Sequence, residues 1–317
     1  MKLYPMKLIP AVKEIIWGGN KLKTDYNKSA PFEKLAESWE LTVRPDGMNV
    51  VANGELAGKP LGDILTNDLI GKNYQGDRFP LLIKFIDARD RLSIQVHPSD
   101  DYAMKNEGEF GKTEMWYIVE AEPDAELVFG LEGKYSKEIF DEAVRNGKVE
   151  SLLHRVKVKP GDVYFIPAGL VHAIGAGILI CEIQQNSNVT YRVYDYNRPG
   201  KDGKPRELHV AKARDVIVNY SPAQLETLRF SGNADLTDDL IATCDKFTVH
   251  KYEINGEKNL VATEKSFVSL TFTSGHGDII YEGKNYEFIK GDTYFLPAGL
   301  GKVTIKSESA VCVAAEI

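Results

Sequence analysis

The sequence has little cysteine and no long apolar run. Its 317 residues include three cysteines, Cys181, Cys244 and Cys312, and none of them forms a CxxC pair. An odd, scattered set argues against a disulfide framework and against a cysteine zinc site, so we expect reduced thiols. The first ten residues hold no apolar core of a signal peptide, and no stretch approaches the ~20 apolar residues of a membrane helix. These absences predict a cytoplasmic protein without a membrane partner.

Several functional motifs are also missing. Neither GxxxxGK[ST] nor GxGxxG occurs, so the sequence implies neither ATP nor a dinucleotide, and we predict no cofactor-binding residues of that kind. A GxSxG elbow is absent as well, which disfavours a serine hydrolase. The net charge of −7 argues against nucleic acid as a partner. An anionic substrate would need a local basic pocket.

Strand-like segments dominate what is present. From residue 80 onward, short stretches rich in β-branched and aromatic residues alternate with Gly, Pro, Asn and Asp, as in an all-β sandwich or barrel. The predicted strands include Leu81–Asp87, Leu92–His97, Met115–Ala121, Glu126–Phe129, Val163–Ile166, Ile178–Ile183 and Val189–Tyr194. Helical signals are local: Pro31–Glu37, Leu61–Asn67, a turn opened by Ser99, Lys137–Arg145 capped by Ser136, and Val210–Leu228. A second set of strands begins near Phe247, so we place a domain boundary near residue 235, between 1–235 and 236–317.

One twelve-residue segment occurs twice, 130 residues apart. Lys159–Leu170 reads KPGDVYFIPAGL, and Ile289–Leu300 reads IKGDTYFLPAGL. Each copy predicts a Gly-Asp turn, a short strand and a Pro-Ala-Gly turn. The repeat therefore indicates two related β barrels in tandem. The first copy continues into Val171-His172 and the second into Gly301-Lys302, so a histidine that could bind metal follows one copy.

These motifs resemble a known family. The spacing Gly161-x5-Pro167-x-Gly169-x2-His172 resembles the second signature of the cupin superfamily. Gln95-Val96-His97 followed by Glu114 resembles the first signature as type I phosphomannose isomerases carry it. Further matching segments are Trp17-Gly18, Glu37–Leu41, Lys112–Trp116 and Tyr191–Tyr196, so the resemblance spans most of the chain and suits the short bacterial form. It implies a mainly β fold of two cupin-type jelly-roll β barrels in tandem with helical insertions.

The residue types indicate a metal site in the first barrel. Alternate residues of a strand share a face, so Gln95 can point with His97, and Lys112 with Glu114. Together with His172 they could form a mixed shell of nitrogen and oxygen ligands that leaves a divalent ion a strong Lewis acid. Gln95 is the weakest ligand and could instead orient a water. Ligand type permits Zn, Co, Mn, Fe or Ni, and the resemblance implies one zinc per chain. The other four histidines, His154, His209, His250 and His276, lie outside the motifs and are expected not to bind metal.

An aldose–ketose isomerisation moves a proton between adjacent carbons through an enediol(ate), so it needs an acid/base group and an electrophile. Lys112 lies two residues from Glu114 and could exchange protons beside the metal, or it could be a surface lysine. Glu182 lies near an acidic position of the family that is associated with proton transfer, or it could be an inward-facing, salt-bridged carboxylate. Arg192 could bind phosphate or stabilise an enediolate, and the resemblance implies an active-site role for it.

The resemblance implies an isomerase that interconverts D-mannose 6-phosphate and D-fructose 6-phosphate. A metal-dependent cupin oxygenase and a non-catalytic sugar-binding cupin stay open as alternatives. The phosphate ligands are not ranked among Lys105, Lys112, Arg192, Arg198 and the Ser99 hydroxyl. The sequence predicts no oligomeric state.

Overall fold

The computed structural model describes residues 2–133, 135–200, 203–229 and 239–317. Within these ranges the chain is mainly β, as the sequence predicted. The helices are short: the longest described one, Lys137–Arg145, has nine residues. Across the described residues, no helix combines the length and the apolar character that crossing a membrane requires.

In chain order, the strands are β1 (Met6–Ile9), β2 (Ala11–Lys13), β3 (Glu37–Leu41), β4 (Val43–Arg44), β5 (Gly47–Met48), β6 (Val50–Val51), β7 (Leu81–Ala88), β8 (Ile94–Val96), β9 (Glu114–Ala121), β10 (Glu126–Leu131), β11 (Leu153–Lys157), β12 (Val163–Ile166), β13 (His172–Ile174), β14 (Ile178–Gln185), β15 (Tyr191–Tyr194), β16 (Leu240–Thr243), β17 (Thr248–Ala262), β18 (Val268–Tyr281), β19 (Lys284–Ile289), β20 (Thr293–Leu296) and β21 (Gly301–Glu316). The helices are α1 (Lys21–Thr24), α2 (Asn67–Ile70), α3 (Asp100–Glu107), α4 (Lys137–Arg145), α5 (Val210–Val216) and α6 (Pro222–Thr227), and 3-10 turns cover Gly54–Leu56, Leu61–Asp63 and Val149–Leu152.

The chain folds into two compact units that are each built from separate stretches of sequence. The first unit comprises Met1–Glu14, Asn20–Phe85 and Ala234–Ile317, and the second comprises Ile15–Gly19 and Ile86–Asn233. Most of the N-terminal 85 residues thus group with the C-terminal strands. The predicted boundary near residue 235 falls among residues 230–238, which lie outside the described ranges.

The second unit contains two groups of antiparallel strands. One is a five-stranded sheet in the order β11-β10-β13-β8-β15, and in the other β12, β9 and β14 lie side by side. One face of the five-stranded sheet is apolar: Ile94, Val96 and Ala173 belong to a buried cluster that includes residues of α4 and α5. Because successive strand residues point to opposite faces, Gln95 and His172 project from the other, inner face.

The first unit is built on an eight-stranded sheet in the order β16-β17-β21-β18-β20-β1-β6, with β19 also paired to β18. Its long strands β17 and β21 pair from Thr248 opposite Glu316 to Ala262 opposite Gly301. The interior is apolar, and the rings of Phe272 and Phe288 stack at a centroid distance of 3.6 Å within it. Close packing of such side chains stabilises this unit through the burial of apolar surface.

The repeated segment has the same structure in both units. Strands β12 and β20 occupy equivalent positions within the two copies. Gly161 and Gly291 adopt φ angles of 92° and 95°, a region that glycine enters without a steric cost. In each turn the carboxylate of Asp162 or Asp292 accepts a hydrogen bond from the backbone N–H three residues earlier, at 3.0 and 2.9 Å. The predicted repeat is therefore a structural repeat.

The strand registers show what the second copy has lost. In the second unit Ile166 of β12 lies opposite Glu114 of β9. In the first unit the equivalent Leu296 of β20 lies opposite Val268 of β18. A valine thus replaces the carboxylate, and Lys302 stands where the first copy has its histidine. The replacement of the histidine by Lys302 is visible in the sequence repeat alone. The replacement of the carboxylate by Val268 is recognised only from the strand register.

The seven predicted strands are all present, with ends shifted by at most two residues. Helix α4 is capped as predicted, since Ser136 Oγ accepts a hydrogen bond from Ile139 N at 3.3 Å. The helix predicted at Pro31–Glu37 is wrong: residues 31–33 are bends, and Glu37 is the first residue of β3. The N–H of Ala36 donates to Lys13 O across the chain, and such a tertiary pairing overrides a local helical preference.

Two further helical predictions are wrong in detail. Leu61–Asn67 forms a 3-10 turn followed by α2, and Val210–Leu228 is divided between α5 and α6. The division has a physical cause, because the N–H of Val218 donates to Gly169 O instead of continuing the helix. Ser221 then starts α6 with a capping box to Gln224. The second set of strands begins at β16, ahead of the predicted start near residue 247.

A buried ion pair lies inside the first unit. Lys28 Nζ lies 2.8 and 2.7 Å from the two carboxylate oxygens of Glu40, and the side chains are 6% and 1% exposed. Lys28 also donates to Gly291 O. Ser38 and Thr293 hydroxyls donate to the Glu40 carboxylate at 2.6 and 3.0 Å. Because both charges are removed from water, each depends on the other for its stabilisation.

We expect Lys28→Met to reduce the free energy of unfolding by about 3–5 kcal/mol, because it leaves the Glu40 charge buried without its cation. The measurement is a urea titration followed by circular dichroism. Lys7→Met is the matched control: Lys7 pairs with Asp292 at 2.6 Å, but the side chains are 31% and 17% exposed. Loss of that pair should cost less than about 1 kcal/mol. Equal losses in the two variants would contradict the role assigned to Lys28.

Candidate metal centre

One row of inward-facing side chains crosses the five-stranded sheet of the second unit. The register places Phe129 opposite His172, His172 opposite Gln95, and Gln95 opposite Arg192. Directly opposed residues of antiparallel strands project from the same face of a sheet. The pairing therefore brings three predicted site residues, distant in sequence, onto one face.

A second row lies on strands β9 and β14. Glu114 lies opposite Gln184, and Trp116 lies opposite Glu182. Trp116 Nε1 donates a hydrogen bond of 2.9 Å to Glu182 Oε2. The Trp116 ring also packs edge-on against the imidazole of His172, with a centroid distance of 5.4 Å. The two rows thus face each other within the second unit.

Three donor side chains converge between the rows. His97 Nε2 lies 3.2 Å from His172 Nε2. Glu114 presents Oε2 at 3.6 Å from His97 Nε2 and Oε1 at 3.4 Å from His172 Nε2. All three side chains are at most 1% exposed. Within the part of the chain that the structure describes, they form the one group of three His, Cys, Asp or Glu residues close enough to hold a metal ion.

Backbone carbonyls set the tautomer of both histidines. His97 Nδ1 lies 2.9 Å from Val189 O, and His172 Nδ1 lies 2.8 Å from Leu170 O. A carbonyl can only accept a hydrogen bond, so each Nδ1 carries the proton in the neutral ring. Each Nε2 then presents a lone pair, and both lone pairs converge with the Glu114 carboxylate. This arrangement orients an imidazole as a metal ligand.

The spacing of these donors fits a divalent metal ion. With metal–ligand distances of about 2.0–2.2 Å, tetrahedral geometry separates neighbouring donors by roughly 3.3–3.6 Å. The observed separations are 3.2, 3.4 and 3.6 Å. Two imidazole nitrogens and one carboxylate are also the donor types of catalytic zinc sites and of other transition-metal sites. The residues present therefore fit a metal ion.

Gln95 lies beside this group but presents its amide nitrogen. Gln95 Nε2 is 3.3 Å from His172 Nε2, so in this rotamer the amide donates toward the imidazole lone pair. A metal ligand would have to be Oε1, since an amide nitrogen has no lone pair available for coordination. The predicted role of Gln95 as a ligand thus requires a half-turn of its amide.

Lys112 and Glu182 both lie in the interior of the second unit. Lys112 Nζ is 3.2 Å from Glu114 Oε2, and its side chain is 7% exposed, so it is not a surface lysine. Glu182 is 3% exposed. Burial, assisted by the charge of Lys112, lowers the pKa of His172 to about 4, against the opposing effects of the hydrogen bond to Leu170 O and of the Glu182 charge. His172 is therefore neutral at physiological pH.

Arg192 is held from several directions. Its Nε donates to Ser93 Oγ at 3.3 Å, and its Nη1 donates to Glu207 O at 2.8 Å. On the backbone, Arg192 N donates to His209 Nδ1, and His209 N donates to Arg192 O at 2.7 Å. Burial and the neighbouring Arg206 charge lower the pKa of Arg192 from its ordinary value. The guanidinium is thus a partly desolvated cation in a set orientation.

Further cations surround Arg192. The carboxylate of Asp195 accepts hydrogen bonds from Arg198 and from two nitrogens of Arg206, at 2.5 to 2.7 Å. Arg198 was among the candidate phosphate ligands, whereas Arg206 was missed because it lies in an irregular segment without a motif. Lys105, another candidate, is exposed on α3. Ser93 was also missed, although it precedes Gln95 by two residues and so shares its face of the chain.

We expect His97→Ala and His172→Ala each to weaken metal binding by more than about 100-fold. Substitution of a residue that only hydrogen-bonds to a metal ligand lowers the affinity by up to roughly that factor. Each substitution removes one of three converging donors. Metal content is measured by mass spectrometry after dialysis. The control is His250→Ala, since His250 lies on β17 with Glu316 Oε1 at 3.7 Å and belongs to no such group among the described residues. Full metal content in either ligand variant would remove that residue from the site.

The metal-free protein should lose stability in acid through His172. This group has a pKa of about 4 when folded and an ordinary value of 6.5, so the unfolded chain binds the proton first as the pH falls. The free energy of unfolding should therefore fall between pH ~6.5 and pH ~4, by roughly 3 kcal/mol from this group. Urea titrations of chelator-treated protein test this. His172→Asn should show a shallower pH dependence, and an equal slope would contradict the assignment.

Two family models match the chain. "Phosphomannose isomerase type I, catalytic domain" matches residues 6–139, and "Mannose-6-phosphate isomerase, cupin domain" matches residues 237–315. The second match lies within the C-terminal strands of the first unit and agrees with the predicted cupin-type fold.

Named relatives match over the whole length. Mannose-6-phosphate isomerase ManA of Bacillus subtilis is 40% identical over 100% of both chains, and mannose-6-phosphate isomerase of Streptococcus mutans is 38% identical over 92% of both. The crystal structure of mannose 6-phosphate isomerase from Bacillus subtilis superimposes with a TM-score of 0.88, at 37% identity over 99% of both chains. A variant phosphomannose isomerase from Salmonella typhimurium, 15% identical over 98% of both chains, shares the fold with a TM-score of 0.77. The chain belongs to the type I phosphomannose isomerase family.

Proposed function

We propose that this chain is an aldose–ketose isomerase that interconverts D-mannose 6-phosphate and D-fructose 6-phosphate. The observation that carries the proposal is the convergence of His97, His172 and Glu114 beside the buried Lys112. It occurs in a chain that is 40% identical to a mannose-6-phosphate isomerase over the full length of both.

Zinc is the proposed ion, one per chain, with His97, Glu114 and His172 as ligands and Gln95 as a fourth. Two imidazoles and a carboxylate suit zinc, although Co, Mn, Fe and Ni accept the same donors. When bound, the ion would act as a Lewis acid toward adjacent hydroxyl and carbonyl oxygens of the sugar. The choice of zinc rests on the family resemblance, whereas the presence of a metal rests on the donor geometry.

Lys112 and Glu182 are the proposed proton-transfer residues. The reaction requires a group that takes a proton from one carbon and returns it to the next. Lys112 is held by its 3.2 Å contact with Glu114 Oε2, and Glu182 is oriented by the hydrogen bond from Trp116. Both side chains are buried, and electrostatic interactions are stronger in such a poorly hydrated interior.

Arg192 is the proposed binding group for the anionic part of the substrate. It lies opposite Gln95 in the row that carries His172, and its guanidinium keeps its charge throughout the physiological pH range. A guanidinium can make a two-pronged contact with phosphate or stabilise an enediolate. Its hydrogen bonds to Ser93 Oγ and Glu207 O support a positioned role.

We also propose that residues 1–235 carry the catalytic metal-binding domain, with the metal ligands in the part that belongs to the second unit, and that residues 236–317 form a cupin-like β domain without a metal, which groups with N-terminal stretches in the first unit. Val268 and Lys302, which stand in place of the carboxylate and the histidine, support the second part. A cytoplasmic location is also part of the proposal, and the net charge of −7 argues against a nucleic-acid partner.

A cupin oxygenase would use similar ligands, because two histidines and one carboxylate also suit non-haem iron. The buried Lys112 and the desolvated Arg192 favour a reaction that moves protons on an anionic substrate. The names of the relatives favour the isomerase as well.

The proposal is tested by the turnover of mannose 6-phosphate to fructose 6-phosphate before chelation, after chelation and after zinc is added back. Glucose 6-phosphate is the control substrate. Activity should vanish on chelation and return with zinc. A tightly bound metal without this turnover would favour the oxygenase or the sugar-binding cupin, and a chain that binds no metal would exclude the site.

We expect Arg192→Ala to retain the metal and to lower kcat/KM by about 100-fold or more, because a single positioned electrostatic contact contributes that much. Metal content and initial rates are measured on the same preparation. Arg192→Lys keeps the charge but cannot form the two-pronged contact, so its activity should lie between those of the wild type and the alanine variant. Wild-type rates in Arg192→Ala would refute the role.

A further inference from the structure

Gln184 is a buried residue of the site wall that no sequence motif singled out. Its side chain is fully buried, and it lies opposite Glu114 across β14 and β9. Opposed residues share a face, so Gln184 projects into the same interior as Glu114 and, two residues earlier on its own strand, Glu182.

The orientation of the Gln184 amide is determined by its neighbours. Nε2 donates to Gln185 O at 2.8 Å and to Ser187 O at 2.7 Å. Both partners are carbonyls, which can only accept, so the nitrogen must face them and Oε1 must face away. Oε1 is buried and accepts no hydrogen bond from any residue that the structure describes. A buried carbonyl oxygen without a donor is costly, and native proteins rarely leave one unsatisfied.

The adjacent glutamine on the same strand differs from Gln184 in its hydrogen bonds. Gln185 projects from the opposite face of β14, since alternate residues of a strand point in opposite directions. Its Oε1 accepts from Thr113 N, and its Nε2 donates to Asp100 Oδ1, both at 2.9 Å. Gln185 is therefore satisfied within the protein, whereas Gln184, on the face that carries Glu114, has a buried acceptor without a donor among the described residues.

We infer that Gln184 is a substrate-binding residue, whose Oε1 accepts a hydrogen bond from a hydroxyl group of the bound sugar phosphate. The inference rests on the proposed function and extends it to one more contact. Gln184 Oε1 is a neutral acceptor, so a ligand that pairs with it must provide a hydrogen-bond donor. In a sugar phosphate the hydroxyl groups are the donors, since the ionised phosphate only accepts. Glu114 and Glu182 on the same face make the wall rich in acceptors, which suits a polyol.

The test compares ligands that differ by one hydroxyl. D-Mannitol 6-phosphate has no carbonyl and cannot isomerise, so its dissociation constant can be measured at equilibrium by calorimetry. A set of analogues that each lack one hydroxyl is titrated into the zinc-loaded wild type and into Gln184→Met. Gln185→Met is the matched control. If a variant is merely less well packed, it weakens the parent ligand and all analogues alike, so the ratio of analogue to parent is unaffected.

The wild type should bind one analogue about fivefold more weakly than the parent, as expected for one neutral hydrogen bond. In Gln184→Met that ratio should approach one, whereas Gln185→Met should keep the wild-type ratio. Identical affinity ratios in the wild type and Gln184→Met would overturn the inference. Loss of zinc from Gln184→Met would also overturn it, since the residue would then support metal binding instead of substrate binding. If Gln184→Met does not fold, Gln184→Asn, which keeps the amide but withdraws it, replaces it in the same comparison.

The experiments distinguish failure of the proposed function from failure of the Gln184 contact. A wild type that neither turns over mannose 6-phosphate nor binds the alditol phosphate would refute the isomerase and with it this contact. A wild type that does both, with unchanged ratios in Gln184→Met, would refute the Gln184 contact alone.

Discussion

The site depends on one constraint: two imidazole lone pairs and a carboxylate meet at side chains that are almost completely buried. His97, His172 and Glu114 lie with their donor atoms 3.2 to 3.6 Å apart and are almost completely buried. Such electron-rich groups repel one another at low dielectric unless a cation lies between them or nearby. Lys112 supplies one positive charge, and a divalent ion fits the remaining space. The carbonyls that bond each Nδ1 keep the rings in the orientation that this requires.

The second copy of the repeated segment has the same backbone structure but different side chains at the positions of the proposed ligands. Both copies have the Gly-Asp turn, the short strand and the Pro-Ala-Gly turn, and the glycines adopt matching φ angles. At the ligand positions, however, Val268 and Lys302 replace the carboxylate and the histidine, and the surrounding interior is apolar. The turn that precedes His172 in one copy therefore precedes the exposed Lys302 in the other, and a core valine takes the place of the carboxylate. The backbone determines where a side chain projects, and the side chain alone determines whether that position binds metal.

Around the ligands, the registers of two sheets gather groups with different chemistry. One row contributes Gln95 and Arg192 beside His172, and the other contributes Glu182 and Gln184 beside Glu114. Cation, carboxylate and neutral amide thus line one interior. Each is oriented by a partner of its own, such as Trp116 Nε1 for Glu182 or the Ser187 carbonyl for Gln184. Prepositioned polar groups of this kind need little reorganisation when a substrate enters.

The sequence by itself determined the mainly β class and the repeat, and it predicted four metal ligands, of which His97, Glu114 and His172 converge in the structure. These features depend on local patterns: strand periodicity, turn residues, and ligand types set within spaced motifs. The sequence did not determine the segment before β3, whose hydrogen bonds are made to a distant strand, or the loss of the carboxylate at Val268, which is visible through the strand register. The tertiary structure alone decided that Lys112 is buried, that Gln95 presents its nitrogen to His172, and that Gln184 keeps an unsatisfied oxygen. Burial and hydrogen bonding at these positions arise from residues far away in the sequence, and no local pattern encodes them.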